Sequence, residues 1–415
     1  MARLAVLIPV VLLSGWQSNA PKPAARAARV HAASLVIDTS IAMHLLFRPD
    51  FAAEHTGWQY DLPKARRGGV TAAVLMPGTE ELFVGDPRLG TAAPAPRGVK
   101  VMEFVFRGPD EVKRVLLEID ATHRVVEANP QTLQIARNAA DLERAKREGK
   151  LAFILGLKAA TIDRDLAVLR IYHGLGMRVL ALCHGPSLGW VSSSREIPAS
   201  GGGLDGFGRE VIRECNRIGM LVDVSHASDQ SFWDTVETTR APLLASHSAA
   251  RALVHQQRNL TDDMIRAIAR TGGVIGVPAV DSFVDPEAAR RWEATLDPDA
   301  YLAWQLGLRK KYSDPWELMR VIRGPNNGAP PAKPPTYVAP LARMLDHIDH
   351  MVKLVGADHV GIGTDFDGGA GLAGFNNAAE WPNLTLALVE RGYSDEAVGK
   401  ILGGNFLRLF RAVAR

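Results

Sequence analysis

The chain has 415 residues, of which 47% are apolar and 22% charged, with a formal net charge of +3. This composition supports a globular core and argues against a disordered or membrane-embedded chain. No dense Lys/Arg run and no interleaving of basic with aromatic residues suggests nucleic-acid binding, and two cysteines are too few for a disulfide framework.

At the N-terminus, Arg3 precedes the apolar run from Leu4 to Leu13, and small residues follow to Ala20. This order reads as an export signal too short to span a bilayer. Leu12-Leu13-Ser14-Gly15 approaches a lipobox, but Trp16 stands where the lipidated cysteine is required, which excludes an anchor there. Cleavage near Ala25 or Ala27 is as compatible with the pattern as cleavage after Ala20, where Pro21 follows. The expected protein is periplasmic or secreted, without a transmembrane span. Residues 21–33, rich in Ala, Arg and Pro, read as a linker.

The first strand is expected at Ser34 to Asp38 and the second at Gly68 to Leu75, with a Gly/Pro-rich loop over 77–100. Residues 101–148 carry helical periodicity up to a Gly149 stop. Strands follow at Leu151 to Leu157 and Met177 to Leu182, then a Ser/Gly-rich loop over 185–205 and a helix over 206–218. The strand Gly219 to Ser225 ends on His226, and after a helix over 228–239 the strand Pro242 to Ser246 ends on His247. A helix over 261–270, capped by Thr261, leads to the strand Gly272 to Val277. Residues 281–337, rich in Trp and Pro, form a lid-like excursion. A helix over 338–355, the strand His359 to Thr364 and terminal helices complete the chain. Eight continuously apolar strands alternating with helices predict an α/β fold, a (β/α)8 TIM-type barrel over 34–415. A doubly wound dinucleotide fold lacks its glycine fingerprint after the first strand.

Barrel sites form at the C-terminal ends of strands. That rule selects Asp38 to Ala42, Lys158, His184, His226, His247 and Asp365. Two histidines after adjacent strands, with an aspartate after the eighth, are the residue types that hold a zinc-like ion.

Five stretches carry a resemblance to a known family. They are Asn216 to His226, Ser246 to Arg251, Arg258 to Asp263, Gly356 to Gly368 and Gly403 to Arg408. Together they resemble the membrane (renal) dipeptidases of peptidase family M19, binuclear zinc hydrolases on an amidohydrolase-like barrel. The resemblance implies that His226 and His247 hold one zinc and that Asp365 binds the other and handles the proton of the attacking water. It implies that His184 stabilises the tetrahedral intermediate and that Arg258 grips the substrate carboxylate. The expected partner is a dipeptide or dipeptide-like small molecule; a homodimer is compatible with the family.

The departures concern the metals. Where the family's first strand ends in an Asp-Gly-His-Asn-Asp-like run, this chain has Asp38-Thr39-Ser40-Ile41-Ala42. Ser40 replaces the histidine ligand and Ala42 the aspartate. The bridging glutamate is replaced by Lys158. A catalytic zinc uses three protein ligands and an open position, so two zinc ions are not expected here. Three readings remain open. Lys158 is carboxylated and one zinc sits on His226, His247 and Lys158. Alternatively, Lys158 stays cationic and supports metal-free chemistry with Asp365 and His184. Or the chain binds a carboxylate-bearing peptide through Arg258 without cutting it. Lys158 and Arg258 also have ordinary structural readings as ion-pair partners. Asp223 and Asp367, beside ligand positions, read as groups that orient their neighbours. The remaining histidines, His44, His123 and His347 among them, read as surface or helix residues.

Overall fold

The computed structural model describes residues 22–45, 48, 50–76, 111–159, 161–185, 187–194, 202–295, 307, 311 and 337–414. Its parallel strands are β1 (Ile37–Ile41), β2 (Ala72–Leu75), β3 (Leu133–Ile135), β4 (Leu151–Leu157), β5 (Met177–Ala181), β6 (Leu221–Asp223), β7 (Leu244–Ala245), β8 (Val274–Val277) and β9 (Val360–Ile362). They run in the order β2-β1-β9-β8-β7-β6-β5-β4-β3, and an extra β2–β4 pairing closes the ring. Eight of the nine strands form the barrel. β3 pairs only with the start of β4, at Leu151 to Phe153, where β5 has not yet joined; β5 takes over from Leu155. Every residue of β1, β2, β4 and β5 is buried, because one face fills the barrel and the other meets helices.

The expected barrel strands are all present, shifted by a few residues at their ends. β3 is the exception: it lies in the stretch read as helical, between helices at Glu111–Ala128 and Ala139–Glu148. The excursion after β8 begins with short helices at Asp281–Val284 and Pro286–Thr295. Most of its remainder lies outside the described residues, as do the Gly/Pro-rich loop and the signal-like segment.

Residues read as a linker fold differently. Pro23–Ala33 is a helix, with Pro23 in its first turn and Ala27 and Val30 buried. Arg26 and Arg29 reach the two oxygens of Asp395 at 2.6 and 3.0 Å. His31 bridges Thr385 Oγ1 at 2.7 Å and the Gly68 carbonyl at 2.9 Å. Alanine and arginine are both good helix formers and a first-turn proline suits a helix start, so this composition folds as a helix.

Inside the barrel, Thr39 of β1 reaches across to the Ser246 carbonyl after β7, at 2.6 Å, and to Ile362 O of β9, at 3.0 Å. Gly276 and Gly363 make room for this crossing, since a Cβ at either would overlap both Ser246 O and Thr39 Oγ1. The crossing ties three strands together just beneath the mouth. Among the described residues no helix is long and apolar enough to cross a membrane.

Candidate active site

The mouth is stitched by two aspartates that use the same three contacts. Near the start of β1, Asp38 Oδ1 accepts the backbone N–H groups of Ser40 (3.2 Å) and Thr364 (2.9 Å), and Oδ2 accepts the Thr364 hydroxyl at 2.6 Å. At the end of β6, Asp223 Oδ1 accepts the N–H groups of Ser225 (2.9 Å) and Ser246 (2.8 Å), and Oδ2 accepts the Ser246 hydroxyl at 2.5 Å. In each case the next residue along, Asp365 or His247, is a site residue. Burial pushes the Asp38 carboxyl up to about 7, against the opposing pull of its Thr364 and Ser40 donors. Burial also pushes Asp223 up, again opposed by its donors.

Several site residues sit on unusual backbone. His226, Asp365 and Ala159 (which follows Lys158) have φ of 70°, 59° and 61°. This left-handed region is costly for residues with a Cβ and persists where the surroundings enforce it. For His226 the enforcement is visible: its carbonyl accepts from Ser194 N at 2.7 Å, and Ser193 bridges to Ala227. For Asp365, the N–H donates to Ser40 O at 2.8 Å.

These strand ends bring the expected side chains together. Lys158 Nζ donates to Asp365 Oδ1 at 2.6 Å, with the two side chains only 2% and 8% exposed. The same oxygen lies 3.9 Å from His247 Nε2. His226 Nε2 and His247 Nε2 are 2.9 Å apart, and the His184 ring meets His226 edge-on with centroids 4.3 Å apart. Arg258 donates to His247 O at 2.7 Å and to Ser248 Oγ at 3.0 Å, and its guanidinium lies 5.1 Å from the centre of the Phe283 ring. His226 is held neutral: burial, then the nearby Arg258, His184, His247 and Lys158, keep its pKa well below the ordinary histidine value.

Sequence reasoning missed Ser246, Thr364 and Ser248, and it selected Asp38 by strand-end position without giving it this role. A signal was present, since Ser225, Ser246 and Thr364 each immediately precede a strand-end site residue. Asp223 does orient its neighbours as read, whereas Asp367 pairs with Arg48 at 2.6 Å and accepts from Gln59 N at 3.0 Å. His44 is no surface histidine: it is buried and lies 2.6 Å from Glu118 Oε1. His347 is buried too, accepting from Ala250 N at 2.9 Å and donating to Val284 O at 3.1 Å. An apolar cavity lined by Met43, Leu75, Val115, Leu155 and Met177 contains none of the mouth side chains.

A profile of the membrane dipeptidase family, peptidase family M19, matches residues 24–415. The chain belongs to the membrane dipeptidase family. It is 30% identical to the dipeptidase tcpJ of Claviceps purpurea over 298 residues, 71% of this chain and 59% of that protein. It is 31% identical to an uncharacterized dipeptidase of Schizosaccharomyces pombe, over 74% of this chain and 64% of that one. The matched regions thus span less than two thirds of both relatives. Among solved structures, the probable dipeptidase PvdM from Pseudomonas aeruginosa superposes with a TM-score of 0.71 at 28% identity, over 94% of this chain and 98% of that one. A metallo peptidase from Rhodobacter sphaeroides, liganded with a phosphinate mimic of the dipeptide L-Ala-D-Ala, shares the fold at TM-score 0.71 and 22% identity, over 92% and 99% of the two chains.

Membrane dipeptidases are metallopeptidases, and the donors of this mouth do not fit a binuclear centre. Ala42 offers no donor. Ser40 Oγ, buried, has no hydrogen-bond partner among the described residues. Lys158 places an ammonium on the one remaining carboxylate. Among the described residues no three His, Cys, Asp or Glu side chains form a metal-holding group. Two ring nitrogens remain at the mouth, His226 Nε2 and His247 Nε2, 2.9 Å apart, one donor short of the three protein ligands a catalytic zinc uses.

Proposed function

We propose that this dipeptidase-family hydrolase acts on the amide bond of a carboxylate-bearing, dipeptide-like small molecule, with the Lys158 ammonium supplying positive charge where relatives use metal. The observation that carries the proposal is the buried Lys158–Asp365 pair at 2.6 Å, set among His184, His226 and His247 at the strand ends. Preformed charge in a water-poor mouth is worth more than in solvent, because it needs little reorganisation when charge develops.

Each role follows from charge and position. Arg258, whose two outer nitrogens already bond Ser248 Oγ and His247 O, holds the substrate carboxylate beside the mouth. Asp365 takes a proton from water as the water attacks the amide carbon. Lys158 and His184 stabilise the negative charge that develops on the carbonyl oxygen. The C–N bond then breaks, and Asp365 returns its proton to the departing nitrogen, giving a carboxylic acid and an amine. The signal-like order of residues 1–20 supports a periplasmic or exterior place for this activity.

The test is metal analysis of purified full-length protein with dipeptide turnover measured before and after chelation. Turnover that survives chelation and disappears in Lys158→Met supports the proposal. Stoichiometric zinc with chelator-sensitive turnover, and a carbamate signal in 13C-bicarbonate NMR, would instead establish carboxylated Lys158 and a single zinc. Dipeptide binding without turnover in any condition would leave a binding protein.

A further inference from the structure

His347 is a buried histidine that the chemistry of the mouth leaves unused, and it joins the two walls between which Arg258 lies. One wall is the chain after β7, where Arg258 donates to His247 O at 2.7 Å and to Ser248 Oγ at 3.0 Å. The other is the short helix Asp281–Val284 after β8, whose Phe283 ring centre lies 5.1 Å from the guanidinium carbon. His347, on the helix Leu341–Val355, spans the two. Its Nδ1 accepts from Ala250 N at 2.9 Å, two residues past Ser248. Its Nε2 donates to Val284 O at 3.1 Å, one residue past Phe283. A backbone N–H only donates and a carbonyl only accepts, so one tautomer of the neutral ring serves both walls. The ring is fully buried, on the helix face that carries Met344, Ile348 and Met351. Simple packing at such a position would be met by an apolar side chain, whereas a buried imidazole costs desolvation that its two bonds must offset. Asn259, beside Arg258, fastens the second wall again, since its Nδ2 donates to Phe283 O at 2.9 Å.

We propose that His347 is a positioning residue for substrate binding: a rigid spacer that sets the distance from the Ser248–Ala250 chain to the Phe283 ring, and thereby the plane in which Arg258 meets the substrate carboxylate. A guanidinium pairs with a carboxylate through a planar fork, so its orientation matters as well as its charge. The aromatic face favours the cation and helps to hold that plane. Without the spacer the two walls are no longer tied through one ring, and Arg258 keeps its charge but loses its fixed orientation. Burial holds the His347 pKa down at about 4, so the ring stays neutral and able to accept from Ala250 at ordinary pH. This role depends on the grip of Arg258 on the substrate carboxylate, as proposed above, and is the same whether or not the mouth holds metal.

The experiment is calorimetry of the full-length protein with two non-hydrolysable probes: a phosphinate analogue of Ala-Ala, and the same compound with its carboxylate converted to a carboxamide. The wild type should prefer the carboxylate probe by about 10-fold or more. His347→Asn keeps an acceptor near Nδ1 and His347→Gln a donor near Nε2, so each retains one wall and frees the other. Both should lose most of the preference while binding the carboxamide as the wild type does. In an Arg258→Met background, His347→Gln should make no further difference. Should the His347 variants not fold, Phe283→Leu removes the ring face while keeping an apolar side chain, and it must show the same selective loss. Variants that keep the wild-type preference, or that weaken both probes alike, would overturn the proposal and leave His347 a purely structural residue. A wild type that binds both probes equally would remove the Arg258 grip itself from the proposed function, and this role of His347 with it.

Discussion

Replacing Lys158 with methionine is the sharpest test of the mouth. Methionine keeps an unbranched side chain, one atom shorter, and removes the ammonium with its charge and its hydrogen bond to Asp365. The attraction between Nζ and Asp365 Oδ1 at 2.6 Å amounts to about 6 kcal/mol at an effective dielectric of about 20. Much of it is offset by the desolvation of two groups that are 2% and 8% exposed. What remains after Lys158→Met is a buried carboxylate without its cation, and breaking such a pair costs roughly 3–5 kcal/mol. The double variant Lys158→Met/Asp365→Asn buries no unpaired charge and should lose about 2 kcal/mol less than the sum of the single losses. Urea denaturation of the four proteins, with unchanged slopes, measures this directly. A Lys158→Met loss under about 1 kcal/mol, or strict additivity, would refute a charged, paired lysine and so remove the ammonium from the proposed mechanism.

Other expectations can be checked separately. Restoring the family donors with Ser40→His, Ala42→Asp and Lys158→Glu together should raise bound zinc to stoichiometric levels, read by elemental analysis of dialysed protein. Burial holds His347 down at about 4, against 6.5 for an ordinary histidine. The folded protein therefore binds fewer protons than the unfolded chain in that range. The stability this contributes is complete above pH 6.5 and is lost as pH falls to 4, and His347→Gln should flatten that part of the pH–stability curve. Arg258→Lys keeps the charge but not the fork that bonds both His247 O and Ser248 Oγ. It should weaken dipeptide binding about 10-fold or more by calorimetry. A chain beginning at Ser34 lacks the docked helix and should show a lower melting temperature by circular dichroism, because Ala27 and Val30 lose their buried surface.

The eight barrel strands were legible because strands covered on both faces read as unbroken apolar runs, as in Leu151–Leu157. β3 was not: it is three residues long and half-buried, between two helices whose period dominates the stretch. The N-terminal helix was hidden by the usual association of Ala/Pro-rich sequence with linkers, although a proline in the first turn and six alanines within eleven residues favour a helix. Lys158, His184, His226, His247, Asp365 and Arg258 were legible from strand-end position and family resemblance. The clamp of Asp223 onto Ser246 was not, because it depends on which hydroxyl of the neighbouring strand meets which carboxylate oxygen. No spacing along one chain encodes that contact.

The paired clamps have a consequence for how such a mouth changes over time. In small metal-organised domains the ion supplies folding energy, so its ligands cannot be lost without losing the fold. Here Asp38 with Thr364, and Asp223 with Ser246, hold the strand ends in place using protein groups alone. The rim keeps its shape whatever occupies its centre. Donors such as those at positions 40, 42 and 158 are therefore replaceable contents of a fixed frame, free to be exchanged without unmaking the barrel around them.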